Sequence, residues 1–179
     1  MASALRIDEL SILLVFEMKP GESKTIPEDR IMLPEIAHVC LVVKDVEKTA
    51  ENFSKKFGIG PFRISVMHTP STRAMVHGKP VDYTLKFGNA KVGSIRLELV
   101  ETIEGETIYK EYLEKHGEGI HHIGVYTPLP FEKELEKWKN EGIDPLQVNK
   151  MEAQDQGWAY MDTSKLVGCI IEILSLPQR

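Results

Sequence analysis

A short histidine-bearing strand occurs twice in this chain, and this repeat limits the possible folds more than any other feature. The segment Ile-Ala-His-Val-Cys-Leu at residues 36–41 aligns with Ile-His-His-Ile-Gly-Val at residues 120–125, so that His38 matches His122. Apolar and β-branched residues surround both imidazoles, which is typical of a buried strand. A single histidine of this kind usually belongs to the core. A matched pair indicates a duplicated unit with polar residues retained inside it.

The chain around these strands can be divided into two copies of one β-α-β-β-β unit. In the first copy Asp45 is the expected helix N-cap and Gly58 its C-terminal stop, and Asn89 is expected in the turn before the last strand. In the second copy a helix begins near Phe131 and ends at Gly142. The predicted elements are, in chain order, residues 35–43, 46–57, 62–68, 81–87 and 94–101, a connecting helix at 106–116, and then 119–126, 131–141, 143–149, 158–162 and 168–174.

The length of 179 residues, with 42% hydrophobic residues, allows one domain with a full core. We therefore predict a single domain over residues 34–176. Residues 1–33 are interpreted as an N-terminal extension of unknown role, because residues 19–34 are polar and contain three prolines and a glycine, as a linker would. The apolar run at 10–18 is shorter than the roughly 20 residues that span a bilayer. Within the domain we place the first module, the connecting helix and the second module at residues 34–103, 104–117 and 118–176.

Charge and cysteine usage limit the partners. The formal net charge is −5 and no basic run is present, which argues against nucleic acid. Cys40 and Cys169 both fall in predicted buried strands and suit reduced thiols in a reducing compartment. We expect a cytoplasmic protein with a small-molecule partner and no membrane partner. Exposed sheet edges favour a homodimer.

The last strand of each copy carries a glutamate among apolar residues. Glu98 lies in Leu-Glu-Leu-Val and Glu172 in Ile-Glu-Ile-Leu. Each alone could face solvent, but an ionised carboxylate inside a protein needs a partner because uncompensated burial is costly. Two imidazoles and two carboxylates at matching places of a repeat have the composition of a divalent-metal site. The predicted metal ligands are His38, Glu98, His122 and Glu172.

These four segments resemble the metal-ligand motifs of the vicinal oxygen chelate superfamily, which includes glyoxalases, bleomycin-resistance proteins and dioxygenases. The segment His-Gly-Glu-Gly-Ile-His-His-Ile at residues 116–123 is similar to one found in methylmalonyl-CoA epimerases. The resemblance covers roughly residues 34–175. It implies an α+β fold in which two paired βαβββ modules form a cup-shaped, half-open mixed β-sheet barrel, with a metal at its base.

The resemblance also implies an activity. We expect a metal-dependent isomerase or epimerase that removes a proton next to a carbonyl, on an acyl-CoA such as methylmalonyl-CoA. The cation polarises the carbonyl oxygen in such a reaction, and the donor set is compatible with cobalt, zinc, nickel, manganese or magnesium. Two alternatives stay open: a glyoxalase-I-type lyase acting on a thiol adduct, and a non-catalytic small-molecule-binding protein of the resistance type.

The catalytic base is not defined by the resemblance. Related epimerases usually carry a glutamate in the early strand-hairpin region, whereas residues 66–72 of this chain contain no carboxylate. The candidates are the metal-binding Glu98 and Glu172, or His68, because a histidine side chain titrates near neutral pH.

Three other aromatic or imidazole side chains are candidates for the site. Tyr83 and Tyr160 occupy similar places in the two modules and are candidate substrate-binding residues, although strand tyrosines more often pack in the core. His121 should point to the opposite face of its strand from His122, which favours a supporting or structural role.

Overall fold

The computed structural model describes residues 31, 33, 35–151 and 156–175. In this part of the chain ten strands form one curled, mixed half-barrel sheet. The strands are β1 (Glu35–Val42), β2 (Arg63–Thr69), β3 (Ala74–Val76), β4 (Lys79–Pro80), β5 (Tyr83–Val92), β6 (Ile95–Glu104), β7 (Gly119–Tyr126), β8 (Pro145–Lys150), β9 (Gly157–Met161) and β10 (Ile170–Ser175). The helices are α1 (Val46–Phe57), α2 (Ile108–His116), α3 (Phe131–Asn140) and α4 (Ser164–Val167). Apart from Ile31 and Leu33, the proposed extension at 1–33 lies outside this description.

Apart from β3 and β4, the two copies of the repeat form the two halves of the sheet. The strand order is β2-β5-β6-β1-β7-β10-β9-β8-β3-β4. At the centre β1 and β7 pair antiparallel, and each pairs in parallel on its other side with the last strand of its own copy, β6 or β10. The predicted α+β architecture of paired modules is therefore confirmed.

The central strand register brings the predicted ligand positions together. Cys40 of β1 pairs with Glu98 on one side and with His122 on the other. Gly124 of β7 is flanked in the same way by Glu172 and His38. In each central strand a small residue, Cys40 or Gly124, therefore lies beside an imidazole on one neighbouring strand and a carboxylate on the other.

Helix α1 forms where the capping residues predict it. The Asp45 carboxylate accepts a hydrogen bond from the Lys48 amide at 2.8 Å, which satisfies a free donor of the first turn. Val46 and Ala50 are buried in a cluster with Leu99 of β6, so the helix covers the outer side of the first half. Gly58, at φ +67°, adopts the left-handed conformation that ends the helix.

The turn between β5 and β6 differs from the prediction. Asn89 lies inside β5, and the actual turn is Gly93-Ser94, with Gly93 at φ +61°. Burial continues to alternate past Asn89, because Gly88 and Ala90 are both buried, and this favours a longer strand.

Two short strands, β3 and β4, lie between the predicted strands at 62–68 and 81–87, where no strand was predicted. β3 pairs antiparallel with β8, so this part of the first copy extends the sheet edge of the second copy. A short helix, α4, also precedes β10 and was not predicted.

Cys40 is a buried free thiol, as predicted. Cys169 is a partly buried free thiol in the turn before β10 rather than inside a buried strand, which corrects the expectation for this residue. No helix among the described residues is long and apolar enough to cross a membrane.

Candidate metal centre

The four side chains predicted as metal ligands meet in one cluster. The Nε2 atom of His38 lies 3.0 Å from Nε2 of His122, 2.9 Å from Oε2 of Glu172 and 3.5 Å from Oε2 of Glu98. The Nε2 atom of His122 lies 3.3 Å from the same Glu172 oxygen. All four side chains are buried or nearly so; the most exposed, Glu98, exposes 12% of its side-chain surface.

Three of these four donor–donor distances fit one divalent ion, and the distance from His38 to Glu98, 3.5 Å, is slightly longer. Metal–ligand bonds of roughly 2.0–2.3 Å at right angles place neighbouring ligand atoms about 2.8–3.3 Å apart. The Oε2 atom of Glu172 is buried and accepts no hydrogen bond of normal geometry from the described residues, although two imidazole nitrogens lie beside it. A buried carboxylate oxygen without a donor is costly, and a cation between these atoms would satisfy it.

The electrostatics of the cluster call for positive charge at its centre. Burial alone would raise the pKa of Glu172, but the imidazoles of His122 and His38 outweigh burial and lower it. Burial alone would lower the pKa of His38, but the carboxylates of Glu172 and Glu98 outweigh it, so this pKa is raised above 6.5. Protons therefore supply the positive charge when no ion is bound, and a divalent ion would displace them.

The second ring nitrogen of His122 contacts His121. The two Nδ1 atoms lie 3.0 Å apart, and both side chains are buried. Burial, and then the proximity of His122, lower the pKa of His121 to about 3, so its ring is neutral at ordinary pH. A neutral ring can accept a hydrogen bond from the Nδ1–H of His122, and this leaves Nε2 of His122 free to bind a cation.

A pairing irregularity explains why His121 reaches His122 instead of pointing away. In the β1–β7 pair Leu41 faces Ile120 and Cys40 faces His122, so His121 is skipped. Such a bulge changes the direction of a side chain.

A cavity of about 250 Å³ opens onto three of the four ligands, His38, Glu98 and Glu172. Its polar wall consists of Ser65, Asn89, Arg96 and Tyr160, and its apolar wall of Met67, Phe87, Trp158 and Leu174. Such a mixture of apolar surface with a few polar groups suits a small organic ligand.

The other predicted site residues lie in different environments. Tyr160 lines the cavity, and its hydroxyl oxygen accepts a hydrogen bond from the Tyr109 hydroxyl; burial raises the pKa of Tyr160 well above the usual value. Tyr83 is 1% exposed, lies in the core and donates to Asn149, and it does not line the cavity. His68 is exposed on β2 next to Thr84, with its Nδ1 atom 3.2 Å from the hydroxyl, and it is not brought together with the ligands.

Sequence reasoning did not identify Ser65, Asn89 and Arg96 as cavity residues. The signal for Arg96 was its position two residues before Glu98, because side chains at this spacing share a strand face. Its Nη2 atom lies 3.0 Å from Nδ1 of His38. Asn89 pairs with Glu98 across β5 and β6, a position hidden by its expected place in a turn.

A second acidic group, formed by Asp45, Glu47 and Glu101, fits a metal less well. Glu101 accepts the Val46 amide at 3.0 Å, and Asp45 caps the same helix. The Lys86 ammonium lies 3.0 Å from Glu47 and 3.6 Å from Glu101 and already supplies positive charge there.

Comparison with known proteins identifies the family and the fold of the chain. Residues 37–161 match the family described as the Glyoxalase/Bleomycin resistance protein/Dioxygenase superfamily. No curated protein matches the chain.

The fold is similar to that of several solved structures. A variant methylmalonyl-CoA epimerase from Streptomyces coelicolor, solved with 2-nitronate-propionyl-CoA, is 17% identical, with a TM-score of 0.60 over 82% of this chain and 96% of that one. Methylmalonyl-CoA epimerase from Mycobacterium tuberculosis is 11% identical, with a TM-score of 0.59 over 84% and 95%. A hypothetical protein from Bacillus halodurans is 17% identical, with a TM-score of 0.57 over 81% and 96%. At these identities the likeness establishes the fold.

Proposed function

The chain belongs to the Glyoxalase/Bleomycin resistance protein/Dioxygenase superfamily, and we propose that it is a metal-dependent epimerase or isomerase that transfers a proton at the carbon next to a carbonyl. The proposed substrate is an acyl-CoA such as methylmalonyl-CoA. One observation carries the proposal: two imidazoles and two carboxylates from matching strands converge beside a cavity of about 250 Å³. The similarity in fold to methylmalonyl-CoA epimerases supports the choice of substrate.

In this proposal His38, Glu98, His122 and Glu172 hold a divalent cation. When bound, such an ion supplies Lewis-acid polarisation of a carbonyl oxygen, which makes the adjacent carbon more acidic. Imidazole and carboxylate ligands are compatible with cobalt, zinc, nickel, manganese and magnesium. The apolar wall of the cavity lowers the local polarity beside the ligands, which strengthens electrostatic interactions there.

The glutamates are the proposed proton carriers. Inversion requires a proton to leave one face of a planar carbon and to return to the other, so two groups are needed. Glu98 and Glu172 line the cavity and come from opposite halves of the sheet. One carboxylate accepts the proton on its oxygen, and the other takes up a proton from solvent and delivers it to the opposite face.

The proposal of His68 as base is less well supported by its surroundings. Its side chain is exposed and is separated from the cavity lining, to which the preceding strand residues Ser65 and Met67 contribute. A base must come within hydrogen-bond reach of the proton that it removes.

The homodimer, the cytoplasmic location and the module boundaries remain predictions.

Proton exchange in heavy water tests the proposal. Protein loaded in turn with each of the five candidate metals is mixed with methylmalonyl-CoA, and loss of the α-proton signal is followed by NMR. Metal-dependent exchange is the expected result. Isomerisation of a glutathione–methylglyoxal adduct without α-exchange of methylmalonyl-CoA would favour the lyase alternative. Binding of both compounds without turnover would favour the binding-protein alternative.

A further inference from the structure

We propose that Arg96 is an anion-binding residue, and that its guanidinium holds a carboxylate or phosphate group of the substrate at the edge of the metal cavity. This inference rests on the proposed function in one respect, because it takes the metal cavity as the place where the substrate binds.

Arg96 lies at the junction of two cavities. Together with Asn89 it lines both the metal cavity and a neighbouring cavity of about 400 Å³. Arg63 and Lys91 also line the second cavity, where Glu35 is the single acidic lining residue among those that the structure describes. Three cations against one carboxylate give this region a positive field, although the whole chain carries a net charge of −5.

The polar atoms at this junction are not fully satisfied. The Nε atom of Arg96 and the Oδ1 atom of Asn89 are buried and form no hydrogen bond with the described residues. A guanidinium carries five N–H donors and needs acceptors for those that are buried. The amide oxygen and nitrogen of an asparagine exchange places by a flip of the side chain, so Asn89 can also present donors to an anion.

One nitrogen of the guanidinium faces the cluster. Nη2 of Arg96 lies 3.0 Å from Nδ1 of His38. The Nε atom of the same side chain is buried and has no acceptor among the described residues. Arg96 therefore has donors that this single contact does not satisfy.

The carboxylates of the metal cavity already contact the imidazoles of the cluster. Glu98 and Glu172 are the carboxylates that line the metal cavity, and both lie close to the imidazoles. An anionic group of the substrate is therefore the acceptor that the buried Nε donor of Arg96 lacks. The planar fork of arginine binds the two oxygens of a carboxylate or a phosphate at once.

Two probes distinguish the source of the anion. The methylmalonyl thioester of N-acetylcysteamine has the carboxylate without phosphates, and propionyl-CoA has phosphates without the carboxylate. Binding of each to zinc-loaded protein is followed by fluorescence, since Trp158 lines the cavity, and by calorimetry. Wild type is compared with Arg96→Gln and with Lys165→Gln, which removes an exposed charge on α4 away from both cavities.

We expect Arg96→Gln to weaken binding of at least one probe by about tenfold to a hundredfold, as for loss of a charged hydrogen bond, with zinc content unchanged. A loss for the methylmalonyl thioester identifies the carboxylate as the bound group, and a loss for propionyl-CoA identifies a phosphate. Lys165→Gln should bind both probes as wild type does. Equal affinity of wild type and Arg96→Gln for both probes would overturn the inference.

A second variant, Arg96→Lys, tests the inference if Arg96→Gln does not fold. Arg96→Lys keeps the charge but loses the fork, so the affected probe should bind at least about threefold more weakly; unchanged binding of both probes would overturn the inference. Because binding is the readout, this test is separate from that of the proposed function. A protein that binds through Arg96 without α-proton exchange would contradict the epimerase proposal and leave the anion site intact.

Discussion

The imidazole of His38 occupies the space directly above Gly124 of the neighbouring strand. A Cβ atom built on Gly124 would lie 2.2 Å from Cε1 and 2.5 Å from Nε2 of the His38 ring. Glycine inside a strand weakens it and often marks a close approach of another group. Here the glycine lets the ring lie between the strands that carry the other ligands.

Gly124→Ala should therefore displace His38 and weaken binding of zinc or cobalt by more than tenfold. The contact is far shorter than any real Cβ contact, so the ring must move away from Glu172. Metal affinity is measured by competition with a chelator, and circular dichroism checks that the variant is folded. Gly119→Ala in the same strand is the matched control, because its Cβ would meet only the Tyr112 hydroxyl, at 3.4 Å. Equal metal affinity of wild type and Gly124→Ala would show that His38 is not a ligand.

Neutralising either glutamate of the cluster should reduce the metal content of the purified protein. Glu98→Gln and Glu172→Gln each replace a charged oxygen ligand with a neutral amide, and we expect at least a tenfold loss of affinity. Glu101→Gln is the control, because it lies on the same strand as Glu98 but in the exposed acidic group with Asp45. A loss confined to Glu101→Gln would move the metal to that second group.

Removing the His68 imidazole should leave proton exchange nearly unchanged. The side chain is exposed and is separated from the cavity, so His68→Ala should retain activity within about threefold. Glu98→Gln, assayed at saturating metal, should lose at least about a hundredfold, as expected for removal of a general base. A hundredfold loss in His68→Ala with intact metal content would identify His68 as the base.

Acid should destabilise the metal-free protein partly through His121. Its folded-state pKa is lowered to about 3 from an ordinary value of 6.5, so between these values the unfolded chain binds a proton that the folded chain does not. The free energy of unfolding therefore falls as pH drops below 6.5, by up to about 1.4 kcal/mol per pH unit.

His38 acts in the opposite direction, because its raised pKa stabilises the fold at low pH and this contribution is lost as pH rises through the folded value. The comparison of wild type with His121→Phe isolates the effect of His121. Urea unfolding at pH 4.5 to 7 should show a shallower pH dependence for the variant. Parallel pH profiles would mean that His121 is not held neutral.

The sequence repeat was sufficient to predict that the four side chains meet, but not what surrounds them. Matching His38 with His122 and Glu98 with Glu172 predicts adjacency, because equivalent strands of two copies pack around a common centre. The bulges in the central pair were not predictable. Pairing skips Ala37 just before His38 and His121 just before His122, and no residue type in these segments demands such a bulge.

The cavity wall was also beyond sequence reasoning for a physical reason. Residues of β2, β5 and β9 reach it only through the curvature of the whole sheet. The pairing of β3 with β8 joins segments from different copies, and such long-range pairing leaves no local pattern. Alternation of buried residues through Gly88 and Ala90 was the available signal that Asn89 belongs to a strand.

Because the bulges and the register of the central strand pair position His38 and His122, the chain should tolerate insertions and deletions in some segments and not in the central strands. Side chains alternate along a strand, so one residue inserted into or deleted from β1 or β7 would turn a ligand histidine to the other face and shift its partners by one register. The segment between β2 and β5 differs in length from its counterpart in the second copy, and the ligands still meet. Length variation among natural variants of this chain should therefore fall in that segment and at the outer loops, and be absent from the central strands.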